Sequence, residues 1–149
     1  MLELLTPAGA QAPVSGEIVQ REGVTSTSAF DGSEGAREDP ISGIAHDNGA
    51  TVVSLAGELD LYNAHVVRET LLQVCSESPE RLVVDLSAVR FMDSTALGVL
   101  IEARTRMPNR RAFLLAAPGL ETRRALEISG LDRHFSVHDS LEDALAATL

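Results

Sequence analysis

The sequence predicts a mixed α/β domain in which an antiparallel β-hairpin leads into parallel βα units, with about four helices, and three observations predict it. An Asp47-Asn48-Gly49 step separates two extended segments; two short, uniformly apolar runs read as buried strands; and helical spacing follows each run in turn.

Taken in order, Ile41 to His46 and Thr51 to Leu59 flank Asp47-Asn48-Gly49, and Asn-Gly between extended segments is a strong hairpin signal because both residues tolerate positive φ. In the second strand Val53, Leu55 and Leu59 fall on one face, Ser54 and Glu58 on the other. After Asp60 the period changes: Ala64, Val67, Leu71 and Val74 step by three, four and three, with His65, Arg68, Glu69 and Gln73 on the opposite, solvated face. The runs Leu82-Val83-Val84-Asp85-Leu86 and Ala112-Phe113-Leu114-Leu115-Ala116 are too short for helices and too evenly apolar for one-sided strands. A helix with Ala96, Leu100, Ala103 and Met107 on one face follows the first; a helix from Leu120 to Ser129, closed by Gly130, follows the second. A weak strand at Phe135 to Val137 leads to a last helix opened by Ser140, with Leu141, Ala144, Leu145 and Thr148 on one side. Alternating strands and helices with short connections imply right-handed parallel crossovers.

The folded part begins near Pro40. Residues 1 to 40 hold 9 bulky apolar side chains and residues 41 to 149 hold 37, so the first segment has too little apolar surface to offset its ordering entropy. A flexible, disordered acidic leader is expected over 1–40, with isolated apolar pairs at Leu4-Leu5 and Ile18-Val19, and one domain over 41–149. The net charge of −10 divides evenly: seven acids against two Arg give −5 in the leader, and 15 acids against 10 Arg give −5 in the domain.

Composition excludes several classes of chemistry. All 12 basic residues are Arg, so lysine-dependent phosphate loops, Schiff bases and general bases are ruled out. The acidic excess, the 3% aromatic content and the lack of Trp argue against a nucleic-acid binder. The lone Cys75 cannot form an internal disulfide or a multi-cysteine zinc site. Met-Leu-Glu-Leu-Leu-Thr-Pro is not an export signal and no run reaches about 18 apolar residues, so a cytoplasmic location without membrane insertion is expected.

The segment Phe91-Met92-Asp93-Ser94-Thr95-Ala96-Leu97-Gly98 joins a strand to a helix, and Asp93, Ser94 and Thr95 are all good cap residues. Capping alone would account for them. Asp-Ser-Thr-Ala-Leu-Gly after a Val-Arg-Phe-Met turn also resembles the signature of STAS domains, particularly bacterial anti-sigma factor antagonists. Gly57-Glu58-Leu59-Asp60 resembles that family's usual ending of its second strand, and the likeness covers about the last 109 residues. The resemblance implies a STAS-like mixed β-sheet. It implies that unphosphorylated protein binds an anti-sigma factor that is also a serine kinase, and that phosphorylation of Ser94, with Thr95 as fallback acceptor, breaks the complex. It also implies a phosphatase that resets the switch. Asp60, Asn63, Asp93, Ser94, Thr95, Leu97 and Gly98 would form the partner-binding face. Ala96 departs from the Gly and Asn63 from the Thr that many members carry.

Other readings are weaker. A nucleophilic Ser94 would need a base beside it, and His46, His65, His134 and His138 fall elsewhere in the pattern, so no enzyme is expected. His134 and His138, or Asp60, Asp85 and Asp93, make poor metal sets, and no metal or cofactor is expected. The serious alternative is a STAS subunit of a sensory assembly or of a lipid-transport complex.

Overall fold

A computed structural model describes residues 38–149; the leader expected over 1–40 lies outside them except for its last three positions. Strand β1 (Ile41–Asp47) pairs antiparallel with β2 (Ala50–Leu59), and Asp47 opposite Ala50 closes the ladder around a two-residue turn. Asn48 and Gly49 take φ of 50° and 86°, the double positive φ of a type I′ turn. Helix α1 (Ala64–Ser76) leads to β3 (Arg81–Met92), α2 (Ser94–Arg106), β4 (Phe113–Ala116), α3 (Leu120–Ser129), β5 (Ser136–His138) and α4 (Leu141–Ala146).

The five strands lie in sequence order, β1 antiparallel and the rest parallel. Each parallel crossover advances one place in the same direction, so crossovers of one hand set α1, α2 and α3 on a single face. There Val67 and Leu71 of α1, Leu100 and Ala103 of α2 and Leu126 of α3 pack on Leu55, Val84, Leu86 and Phe113 of the sheet. The other face is covered only in part, where Leu141, Ala144 and Leu145 of α4 meet Val52, Val83 and Leu114. Both central strands are thus buried on two faces, which is why they are uniformly apolar.

Three boundaries differ from the sequence reading. Strand β3 does not end near Leu86 but runs to Met92, so the expected Val-Arg-Phe-Met turn is strand. Pairing steps from Ser54–Asp85 to Ala56–Ala88, then from Gly57–Val89 to Glu58–Phe91, inserting one extra β3 residue each time. These bulges break the alternation that marks a strand and leave Ser87, Ala88, Arg90 and Phe91 exposed. Strand β5 starts at Ser136, because Phe135 is instead a core residue with its ring 5.9 Å from that of Phe113. Helix α4 stops at Ala146, short of Thr148, where the Arg81 guanidinium takes the carbonyls of Ala144 and Ala147.

Residues 38–40 run along β2 toward the end of the sheet where β2 and β3 finish. Ala56 N–H donates to the Pro40 carbonyl at 3.0 Å, and Glu38 crosses Gly57 to pair with Arg90 at 3.0 Å.

Candidate functional site

Parallel strands all finish at one edge of the sheet, and the helices that follow them begin there. Strands β2 and β3 end side by side at Leu59 and Met92, and Asp93 N–H extends the ladder by donating to the Leu59 carbonyl at 3.0 Å. That bond sets Asp60 and Asp93, each half-buried, at the ends of neighbouring strands.

Asp93 has extended backbone and caps α2: its Oδ1 accepts Ala96 N–H at 3.0 Å and its carbonyl accepts Leu97 N–H at 3.0 Å. Ser94 is therefore the first helical residue, where N–H groups have no intrahelical partner and the helix dipole is positive. Ser94 and Thr95 are exposed; Ala96 and Leu97 are buried. The helix thus offers its two hydroxyls to solvent and turns its next two side chains into the core.

The second half of the site is the loop from Asp60 to Asn63. Asp60 N–H donates to Asn63 Oδ1 at 2.9 Å, Asn63 Nδ2 donates to the Glu58 carbonyl at 2.8 Å, and Tyr62 N–H donates to Asp60 Oδ1 at 3.0 Å. The N–H groups of Asn63 and Ala64 both donate to the Asp60 carbonyl, at 3.2 and 2.9 Å. Asn63 stands at the cap position of α1 with no side-chain bond into the helix, because its amide is spent on the loop.

Of the seven candidates read from the sequence, Asp60, Asn63, Asp93, Ser94 and Thr95 meet at this edge. Gly98 lies one turn into α2, exposed, with open space where a Cβ would stand. Leu97 faces inward at 7% exposure and supports the helix from the core, as does Val99. Two residues escaped the sequence reading: Leu61 and Tyr62, 66% and 77% exposed on the β2–α1 loop. The signal was there, since both are large and apolar yet belong neither to the strand alternation nor to the helix period. Phe91, at 50%, lies on the same edge and was hidden by the second bulge.

A shallow groove of about 350 Å³ runs between β1 and α1 past Ile44, His46, Glu69 and Gln73, at the opposite end of the strands from Ser94. No helix among the described residues is long and apolar enough to cross a membrane.

This architecture defines a one-sheet α/β domain whose distinctive feature is an exposed, hydroxyl-bearing helix start at the strand ends. The chain belongs to the STAS domain family, whose model matches residues 43–144. It is 37% identical over 102 residues to the anti-sigma-F factor antagonist RsfB of Mycobacterium tuberculosis, covering 68% of this chain and 84% of that one. It is 36% identical over 81 residues to the anti-sigma-B factor antagonist of Bacillus subtilis, covering 53% and 72%. The crystal structure of an anti-sigma factor antagonist from Mycobacterium paratuberculosis superposes with a TM-score of 0.65 at 35% identity, covering 68% of this chain and 87% of that one.

Proposed function

We propose that the protein is an anti-sigma factor antagonist: unphosphorylated, it binds an anti-sigma factor of the serine-kinase type and so frees a sigma factor. Phosphorylation of Ser94 switches it off and a phosphatase restores it. The observation that carries this reading is Ser94 itself, exposed as the first residue of α2 beside the Asp93 cap, in a chain similar to anti-sigma factor antagonists. Thr95 is exposed next to it and is the fallback acceptor.

A phosphoryl group brings about −1.5 to −2 charges, which the helix N-terminus favours by roughly 0.3 to 1 kcal/mol. The carboxylate of the adjacent Asp93, which caps the same helix start, opposes that gain within the monomer. At an interface shaped around a neutral hydroxyl, the dianion is desolvated without a partner at a cost of about 3 to 5 kcal/mol. At 1.4 kcal/mol per tenfold, that weakens binding by about 140- to 4,000-fold.

The test is incubation with ATP and candidate anti-sigma kinases, followed by intact-mass analysis and mapping of the modified residue. One phosphoryl group at Ser94 is expected, with Ser94→Ala binding constitutively and Ser94→Asp binding poorly. Full binding by Ser94→Asp would retire the proposal.

A further inference from the structure

We infer that Leu61 and Tyr62 are the apolar anchor by which the protein grips its anti-sigma factor, beside the Ser94 switch; the inference rests on the function proposed above. Five hydrogen bonds fix the four-residue loop that carries them, four of them to or from Asp60 and two using the Asn63 amide. Loop backbone and polar side chains are held by one another, and the two apolar side chains are what the loop presents outward, at 66% and 77% exposure. A lone exposed apolar residue is ordinary. An adjacent pair on a loop already held in one shape is different, because binding through it orders little chain, and well-packed aromatic anchors carry most of an interface's energy.

The surroundings select the occupant. Glu58 is exposed, Asp60 and Asp93 are half-buried, and all three lie at the same strand ends as the pair and Ser94, which gives this edge an acidic character. A complementary surface is an apolar socket rimmed by basic side chains, close enough to an enzyme's phosphoryl-transfer site for Ser94 to reach it. A second copy of this chain fits poorly, since it would bring the same acidic groups against one another.

The composition supplies a clean probe: Tyr62 is the chain's single Tyr. Protein labelled with 3-fluorotyrosine therefore gives one ¹⁹F resonance, from this site. The serine-kinase anti-sigma factors of the organism that encodes the chain, purified one at a time, are titrated against the full-length protein and its variants. Leu61→Ser and Tyr62→Ser are each expected to weaken binding about ten- to a hundredfold. Ile128→Ser, at an equally bare apolar position 84% exposed on α3, is expected to stay within about twofold of wild type. The ¹⁹F signal should move on adding the kinase and on nothing else. Both side chains lie in solvent, so melting should be unchanged, and a loss of binding then reports contact rather than unfolding.

If the two anchor variants bind as wild type does while Ser94→Asp fails to bind, the anchor is wrong and the switch stands. If wild type binds none of the kinases, the proposed function falls and the anchor with it. A resonance that moves with protein concentration alone assigns the pair to a second copy. One that moves in an Ile18→Ser, Val19→Ser double variant without any kinase assigns it to the chain's own leader. Either result overturns the inference.

Discussion

Replacing Asn63 with Ala removes the two bonds that its own side chain makes in the β2–α1 loop, the 2.9 Å bond from Asp60 N–H and the 2.8 Å bond to the Glu58 carbonyl. A net hydrogen bond contributes about 0.5 to 1.5 kcal/mol, and both groups are near enough to solvent for water to replace part of each, so the expected loss is about 1 to 2 kcal/mol. For a domain of this size, that lowers the melting temperature by about 5 to 15 °C. Urea unfolding should show a lower midpoint with unchanged slope, because the surface exposed on unfolding is the same. Hydrogen exchange should locate the effect: the Asp60 amide, which donates to Asn63 Oδ1, is expected to lose protection first. Asn63→Asp keeps the acceptor for Asp60 N–H but sets a carboxylate oxygen against the Glu58 carbonyl, so it should cost at least as much as Ala. Stability within about 0.3 kcal/mol of wild type, together with an unchanged Asp60 amide, would refute the account of this loop.

Three further outcomes follow from local geometry. Gly57, at φ of 82° with Glu38 lying over it, should lose about 1 to 2 kcal/mol of stability as Ala, whereas Gly98→Ala, on an open helical surface, should gain about 0.5 to 1 kcal/mol in urea titrations. Cys75 lies 5% exposed with its Sγ–H toward the Ala103 carbonyl, and burial raises its thiol pKa against the opposing pull of Arg106. Alkylation at neutral pH should therefore be much slower in native than in urea-unfolded protein. The Arg68 hydrogen bond holds the Glu102 carboxyl below the usual glutamate range, so its contribution is present above the unfolded pKa and lost as pH falls through the folded one. The stability gap between wild type and Glu102→Gln should accordingly narrow in acid.

The readable parts of this fold are those in which one physical cause acts alone. The hairpin turn follows from the need for two positive φ angles at Asn48 and Gly49, and α3 is bounded at its C-terminal end by Gly130 at φ of 78°. The packing face of α1 follows from period alone, and Ala64, Val67, Leu71 and Val74 are all buried. Reading failed where two causes competed. The β3 bulges shift the alternation twice, and from Ser87 to Phe91 the pattern of a surface turn is produced by a strand. At the site, Asp93 and Ser94 were legible because capping and family motif coincide. Leu97, which the resemblance sets on the partner-binding face, is turned into the core, since a helix start one turn from a sheet has both a wet and a dry face. Leu61 and Tyr62 stand out in the sequence only by falling outside both periods; the hydrogen bonds among Glu58, Asp60 and Asn63 that hold their loop in place are encoded in no periodicity.

Under the proposed function, the division of labour at this edge explains how a phosphoryl group on Ser94 would act as a switch without refolding the domain. Asp93 Oδ1 already holds Ala96 N–H, so α2 keeps its cap whether or not Ser94 carries phosphate. The anchor loop is closed by its own bonds, and the Leu59–Asp93 ladder bond joins the end of β2 to the α2 cap. Leu61 and Tyr62 then contribute equally to binding of both forms, while the phosphate penalises one. An interaction equal in two states shifts neither against the other. On that proposal the anchor sets how tightly the partner is held and Ser94 sets the ratio between the two states, so weakening Tyr62 should lower both affinities while leaving that ratio at about 140 to 4,000.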